Sequence, residues 1–530
     1  VTVSGSDDAA TSLQHPLPPV VIGAGGSLTF DDDTIALYAT SFLVRNQGQM
    51  LAGSAAAPVS KRITIVMTGD SSAALPPLAT GSSPIVTTTN ATPNARDITV
   101  MDGGVVALYG RAGLSAAPNG TANDPSTNPA FINTQGGTDS WTYLSQPAGP
   151  STFDDDENVS APVPATAPAT TLTLARVVDW RVGDWVSVAT TSFTSHQTEV
   201  VQVSAVATVD DPNASAAAIT GASNASPIVI TTASAPETGT KVKISGVKGN
   251  TAANAAWSVE KLSDTTFSLV GSTGSGAYTS GGSWVPEVSQ LTLQQDLKHY
   301  HFGGAAPTPG FYPKDTAVPV VAGGAAIDVS HRSRSYYDGS GRNFGIDERA
   351  EVALLSRNIK LTSTAGQGSD ARPYIGGHLV AMRSGHHQPS PQLTLVGVEI
   401  EKFGQDLVGR YPVHLHHLPG AAGKVLIQDV SVHHSYNKCL VVHGTANARL
   451  YNNVCVRTVG QGVYLEDGSN ITGNHFMRNH IAGTMAAGSS YSYPRQAGSQ
   501  YWDGDNLQGA GGAISGVAKG TGGEFVVTTT

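Results

Sequence analysis

The stretch DVSVHHSYNKCLVVHGTANARLYNNVCVRTVGQGVYLEDGSNITGNHFM, Asp429–Met477, repeats one short design. Asp429-Val-Ser-Val432, Asn453-Val-Cys-Val456 and Asn474-His-Phe-Met477 recur at spacings of 24 and 21 residues. A second series, Leu440–Gly444 and Tyr464–Gly468, keeps step with it, glycine to glycine, at 24. Periods of about 20–25 residues with two or three short strands each mark a parallel β-helix, in which a repeat buries its apolar row only against its neighbours. Asn452, Asn453 and Asn474 fall at turn-like positions, where stacked asparagines form ladders.

The rest of the chain agrees with an all-β fold. Among 530 residues there are 60 Gly and 30 Pro, and charged residues are only 13 %. That is about half the usual charged share, with few of the long periodic runs that helices need. Ile63–Met67, Ile98–Met101 and Val105–Tyr109 read as short strands between Gly, Pro, Asn and Asp turns. The acidic cluster Asp154–Glu157 lacks the ligand spacing of a calcium loop and reads as solvated. The formal net charge of −10 offers no general basic face for nucleic acid. No apolar run reaches the roughly 18–20 residues of a membrane span.

The expected organisation is a lead-in over 1–19, a β domain over 20–217 and 285–324, an inserted β module over 218–284, a right-handed parallel β-helix over 325–490, and a tail over 491–530. The insert carries candidate strands at Ser226–Thr232, Lys241–Gly246, Trp257–Leu262 and Thr266–Val270, and it resembles the FCCH-type module of ubiquitin-activating enzymes. AISGVAKGTGGEFVVTTT (Ala513–Thr530) echoes AITGASNASPIVITT (Ala218–Thr232), so the tail is expected to begin a second copy within a longer protein.

Function is concentrated by histidine. Of 16 histidines, 11 fall between His378 and His480. Aligning the repeats on their glycines puts His443 beside Asp467 and Val442 beside Glu466. The apolar–His alternation of GRYPVHLHH (Gly409–His417) places His416 in the same row, with His414 on the same face. Rungs lie about 4.8 Å apart, so His416, His443 and Asp467 would form a continuous polar row. Such a row can hold a divalent metal or position a general acid and base. The same residues can also satisfy one another as a buried ladder without chemistry. His433–His434 and His386–His387 each read as pairs with one solvated ring. Between Lys402 and Arg457 six basic residues (Lys402, Arg410, Lys424, Lys438, Arg449, Arg457) stand against two acids, either as a positive groove for a polyanion or scattered round the solenoid.

GGHLVAM (Gly376–Met382), VGVEIEKFGQDLVGRYPVHLHH (Val396–His417), VSVHHSYNKCLVVHG (Val430–Gly444) and GVYLEDG (Gly462–Gly468) resemble the cell-surface hyaluronidase family. RAEVALLSRNI (Arg349–Ile359) is similar to the family's strand before the β-helix, and VDWRVGD (Val178–Asp184) to its G-eight domain. The resemblance implies cleavage of hyaluronan with calcium, and carries over His378, Arg410, His414, His416, His443, Glu466 and Asp467. Gly462 stands where the family has a cysteine, which leaves the partner of Cys439 open between none and Cys455.

The expected function is therefore an extracellular or cell-surface protein that binds or cleaves an acidic polysaccharide. Asp467, Glu466, His443 and His416 would be catalytic, and Arg410, Lys438 and Tyr464 would bind substrate. His414, His416, His443 and Asp467 would hold a divalent metal, calcium or a transition metal. Glu399 and Asp429 are candidates for a second carboxyl group, and a lyase route through a histidine base is open. The alternative is a structural surface protein (adhesin, filament subunit or tail-spike segment) that associates into fibres through open sheet edges.

Overall fold

The computed structural model of the chain describes residues 1–3, 16–69, 96–111, 140–150, 170–191, 195–304, 349–364, 375–405, 409–466, 473–485, 514–519 and 525–529. Its centre is a coil of three parallel sheets. The first sheet runs through Thr2–Val3, Ser27–Phe30, Gln49–Ala52, Val105–Tyr109, Gln392–Val396, Val425–Gln428, Arg449–Tyr451 and His475–Met477. The second runs through Val20–Ile22, Phe42–Arg45, Asp97–Met101, His378–Met382, Val413–His416, Leu440–His443 and Val463–Glu466. The third runs through Ile35–Ala39, Ile63–Met67, Ile359–Ser363, Val398–Glu401, Ser431–Ser435, Val454–Thr458 and His480–Ala482.

Alternation builds the interior. Within each strand every second residue points inward, and these residues stack from rung to rung. In the second sheet Ile22, Val44, Val100, Ala381, Leu415 and Val442 belong to one continuous core with inward residues of the other two sheets. The coil turns its corners with left-handed residues at equivalent places. After the first sheet come Gly397, Asp429, Asn452 and Arg478, at φ of 61, 55, 56 and 54°. After the second come Asn46, Asp102, His417 and Gly444, at 49, 49, 50 and 53°. Such a backbone costs an L-residue about 1–2 kcal/mol, and side chains offset part of it. Asp102, for example, accepts hydrogen bonds from the Ser384 amide at 2.8 Å and its hydroxyl at 2.6 Å.

An asparagine ladder lines one corner. The Asn453 amide donates to the Ile427 carbonyl at 3.0 Å, and its carbonyl accepts from the Val430 amide at 3.0 Å. The same amide donates to Asn479 at 2.9 Å, and Asn479 donates in turn to the Leu450 carbonyl. Asn474 bridges a different turn, from Thr445 to Ala448, and Asn452 donates to Asp429.

Strand pairing divides the chain differently from the expected segments. Residues 2–109 are coils of the same three sheets as 359–482, because Ile63–Met67 pairs directly with Ile359–Ser363 and Asp97–Met101 with His378–Met382. The expected β domain at 20–217 therefore begins as β-helix. Short N-terminal strands carry no turn spacing that separates a coil from an open sheet. The antiparallel part is an excursion between Arg111 and Ile359. There Trp185–Val188 pairs with Glu199–Asp210, not with Thr171–Thr173 across the Arg181–Asp184 turn. Residues 217–284 have their own core around Ile230, Val242, Val259, Phe267 and Trp284. The tail forms a hairpin, Ile514–Lys519 with Phe525–Thr529. Its register shift between Ile514 and Gly516 reproduces the one between Ile219 and Gly221. The acidic run Asp154–Glu157 lies outside the described residues.

The excursion packs on the outside of the third sheet, where Val454 and Val456 meet Ala353 and Leu355. Polar contacts fix the junction. Ser140 donates to Asp429 at 2.8 Å and accepts from Arg357 at 2.6 Å, and Trp141 donates to the Arg478 carbonyl at 2.7 Å. The His480 ring stacks on Trp141 at 5.7 Å.

Two outcomes follow from these contacts. Asn453→Ala leaves the Val430 amide buried without its acceptor and removes a second donor from the Ile427 carbonyl, and denaturant unfolding should show a loss of about 1–3 kcal/mol. Burial pushes the His480 pKa down to about 4. An unfolded histidine titrates near 6.5, so between those values the unfolded chain binds a proton that the folded chain does not. Stability should therefore fall with pH through that window, by up to about 3 kcal/mol for this group. Thermal unfolding of His480→Leu should show a shallower acid slope than the parent, and an identical slope would refute the assignment.

Candidate functional site

The candidate site lies on the outer face of the second sheet. Val413 and Leu415 point into the core, so His414 and His416 point out. Register then stacks Met382, His416, His443 and Glu466 in one row, and Val380, His414, Val441 and Tyr464 in the row beside it. The row expected to end in Asp467 ends in Glu466. Leu440 pairs with Val463, an offset of 23 residues, whereas the glycine alignment gave 24. A slip of one residue exchanges the two faces of a strand, which is why the neighbouring carboxylate takes the place. Asp467 lies outside the described residues. The offset of Ser431 to Val454 is likewise 23, and Asn474–Met477 proves to belong to the first sheet.

Three imidazoles converge. One ring nitrogen from each of His414, His416 and His443 lies within 4.8 Å of the others. The His414 and His443 rings are stacked 5.8 Å apart, and His416 stands edge-on to both, at 5.1 and 4.8 Å. His414 Nδ1 lies 2.7 Å from the Gly409 carbonyl. The carbonyl can only accept, so Nδ1 carries the proton and Nε2 the lone pair. That Nε2 is buried without a hydrogen-bond partner. Burial, followed by the charges of His416, His378 and His443, holds the His414 pKa well below 6.5. His378, 6.2 Å from His414 and depressed chiefly by burial, continues the cluster on the preceding rung.

Glu466 closes the row. Its Oε1 accepts from the Tyr411 hydroxyl at 3.3 Å, and its Oε2 lies 3.6 Å from His443 Nδ1. Burial and then the Glu466 charge raise the Tyr411 pKa, so this hydroxyl keeps its proton. The Lys438 ammonium lies 4.3 Å from the Tyr464 ring centre and 5.5 Å from that of Tyr411, a cation held against aromatic faces. Cys439, the next residue, is bonded to Cys455. The bridge pins the Lys438 turn to the third sheet, settling the cysteine pairing that the sequence leaves open.

Other expected members fall elsewhere. Arg410 is buried, and its charge acts on Asp97 and His378, which alternate outward on earlier rungs of the second sheet. The six basic residues do not share a face: Arg449 is in the first sheet, and Lys402 and Arg457 turn corners of the third. Neither Glu399 nor Asp429 supplies a second carboxyl group to the row. Asp429 sits at a corner, bonded to Ser140, Gln428 and Asn452. Glu399 belongs to the third sheet. There His433 and His434 are not a solvated pair, because the left-handed backbone at His434 (φ 51°) breaks alternation and turns both rings toward Glu401. Lys360 already bridges Glu399 and Glu401 at 2.6 and 2.8 Å, and His433 lies 3.2 Å from Glu399. The His433 hydrogen bond and charge, with Lys360, outweigh burial and hold the Glu399 pKa near about 2. This second convergence is satisfied internally.

Two neighbours escape the sequence reading. Tyr411 lies in the quoted GRYPVHLHH stretch, but nothing in its spacing marks it as a partner of Glu466. His417 follows the strand at a left-handed corner, which alternation alone assigns to the opposite face. Its ring lies 4.4 Å from that of His443 and 4.5 Å from that of His416. His386 and His387 are exposed.

Comparison with known proteins divides along the coil. Residues 6–116 match the G8 domain family, and residues 374–508 match the family described as CEMIP beta-helix. The Val178–Asp184 string, read as a G-eight signature, lies outside the first match, in the antiparallel excursion. A G8 domain-containing protein of Dictyostelium discoideum is 32 % identical over 183 residues, 33 % of this chain and 15 % of that protein. The cell surface hyaluronidase CEMIP2 of Homo sapiens is 31 % identical over 138 residues, 23 % of this chain and 10 % of that protein. The cell migration-inducing and hyaluronan-binding protein of Mus musculus is 32 % identical over 146 residues, 23 % of this chain and 10 % of that protein. The chain thus spans between 10 and 15 % of the length of these relatives. It is a distant homologue of the G8 and CEMIP proteins, with the histidine row inside the CEMIP beta-helix match.

Proposed function

We propose that the outer face of the second sheet binds and cleaves an acidic polysaccharide of the hyaluronan class. The observation that carries this reading is the stacked row His416–His443–Glu466, backed by Tyr411 and flanked by the buried Lys438. Distant relatives named for hyaluronan binding and hyaluronidase activity support the substrate class. A disulfide and a relative named for the cell surface support an extracellular setting. Among the described residues no helix is long and apolar enough to cross a membrane.

The geometry favours elimination over two-carboxylate hydrolysis. Hydrolases of that kind use a pair of Asp or Glu flanking the bond, and Glu466 is the one carboxylate that the row holds among the described residues. In elimination, a base takes the proton beside the uronate carboxylate and a double bond forms there. The glycosidic C–O bond breaks with its electron pair going to the leaving oxygen, which takes a proton from water or from the acid that the base has become. Glu466, partly exposed at the end of the row, is placed to take the first proton. Tyr411 orients Glu466 by its hydrogen bond, and Lys438 supplies positive potential to a substrate carboxylate. His414, His416 and His443 would hold a divalent ion, since the buried, unbonded Nε2 of His414 fits a ligand and not a proton. Bound there, the ion would neutralise charge that builds on the substrate carboxylate.

Glu466→Gln keeps the shape but loses the base. Cleavage of hyaluronan, chondroitin or alginate, followed by chain size and by ultraviolet absorbance of unsaturated ends, should slow about 10²–10⁴-fold. Cleavage without unsaturated ends would replace elimination by hydrolysis, and no cleavage of any acidic glycan by the parent chain would sink the enzyme reading.

A second reading, end-to-end association, rests on the last described rung. Leu465 and Ile481 stand in register with the core residues Val442 and Cys455 yet are 51 % and 44 % exposed. Sedimentation of the parent chain should then show assemblies that Leu465→Asp dissolves. A monomer at high concentration removes this reading.

A further inference from the structure

We propose that His417 is the fourth, exchangeable donor of a centre built on His414, His416 and His443, and that this centre takes zinc-class divalent ions and not calcium. The inference rests on the metal reading of the same cluster and goes beyond it by naming the ion class and a further ligand.

The donor set decides the class. Calcium takes 6–8 oxygen ligands, from carboxylates, carbonyls and water. The three converging groups are all imidazoles, a donor suited to zinc, copper, nickel and cobalt. His414 is also oriented as a metal-binding histidine is. The Gly409 carbonyl fixes the His414 tautomer from behind, the outer-shell contact that aims the opposite nitrogen at an ion. That nitrogen is buried without a partner. Next in register to His416 stands Met382, which gives the row an apolar, sulfur-bearing wall and no oxygen.

His417 is held beside this set by the backbone. Its left-handed φ of 50° turns it to the same side as His416. Its amide donates to the His443 carbonyl at 2.8 Å, and its own carbonyl accepts from Arg383 Nε at 3.1 Å. The ring rests over Gly444. A Cβ at Gly444 would stand 2.6 Å from His417 Nδ1, so the ring occupies a cradle that only glycine leaves open. Of the four rings it is the exposed one, which suits a donor that yields its place to substrate.

The test uses the full chain stripped with a chelator and loaded with zinc or cobalt. Calorimetry should show one strong site for zinc, undisturbed by millimolar calcium, and cobalt should give the intense visible bands of a low-coordinate nitrogen site. His417→Ala should weaken zinc about tenfold or more and dim the cobalt bands. Gly444→Ala should do the same by displacing the ring, with folding checked by circular dichroism. His434→Ala, in the internally satisfied cluster, should change neither. Zinc binding lost in His414→Ala but unchanged in His417→Ala would overturn the fourth ligand and leave the three-histidine centre standing. Displacement of zinc by calcium would overturn the ion class. Failure of the parent chain to bind any of these ions would overturn both this inference and the metal reading beneath it.

Discussion

Parallel, in-register stacking of short strands is the constraint on which everything else rests. Each rung of the second sheet contributes only three to five residues. No rung buries its apolar row alone, and none presents more than two or three outward side chains. The functional face is therefore composed by register: His414 and His416 from one rung, His443 from the next, Glu466 from the one after. An offset that satisfied the core differently would disperse the same residues. The core row Leu415, Val442 and the disulfide at Cys439 thus fix the site as surely as any hydrogen bond within it.

Corners supply what strands cannot. A strand sends adjacent residues to opposite faces, yet His416 with His417, and His433 with His434, each come together. In both pairs the second residue is left-handed, at φ of 50 and 51°. These are the ordinary corner positions of the coil, shared with Asp102, Lys402 and Arg457. The architecture therefore offers a place for paired neighbours wherever a strand ends, and the chain has used that place twice for histidine.

This geometry explains what the sequence disclosed. The three-strand repeat and its apolar alternation are enough for the β-helix and for His416 beside His443. Counted from Gly444 to Gly468 the rungs stand 24 residues apart, one more than the strand register of 23, so these glycines do not keep step with the strands. Counting from the inward residues Val442 and Leu465 selects Glu466. The N-terminal strands read equally as an open or a coiled sheet, because the excursion separates Tyr109 from its partner strand at Val396 by hundreds of residues. No local pattern shows that a chain will return to a sheet it has left. The buried environments of Arg410 and Tyr411 depend on Asp97 and Glu466, partners from distant rungs, and so were equally invisible.

Two histidine clusters in one coil also show why convergence alone does not define a site. On the third sheet the carboxylates of Glu399 and Glu401 meet the Lys360 ammonium at hydrogen-bond distance, and His433 bonds to Glu399 and His434. Both carboxylates there share the one ammonium, and these contacts offset part of the cost of removing the groups from water. On the second sheet, three imidazoles point nitrogens at one another with a single carboxylate at the edge. Burial disfavours a proton at His414, where the pKa falls well below its usual value, and its Nε2 lone pair is buried without a hydrogen-bond partner. The same fold thus builds one histidine cluster tied to carboxylates and an ammonium, and another of imidazoles edged by a single carboxylate, on which the proposed metal reading rests.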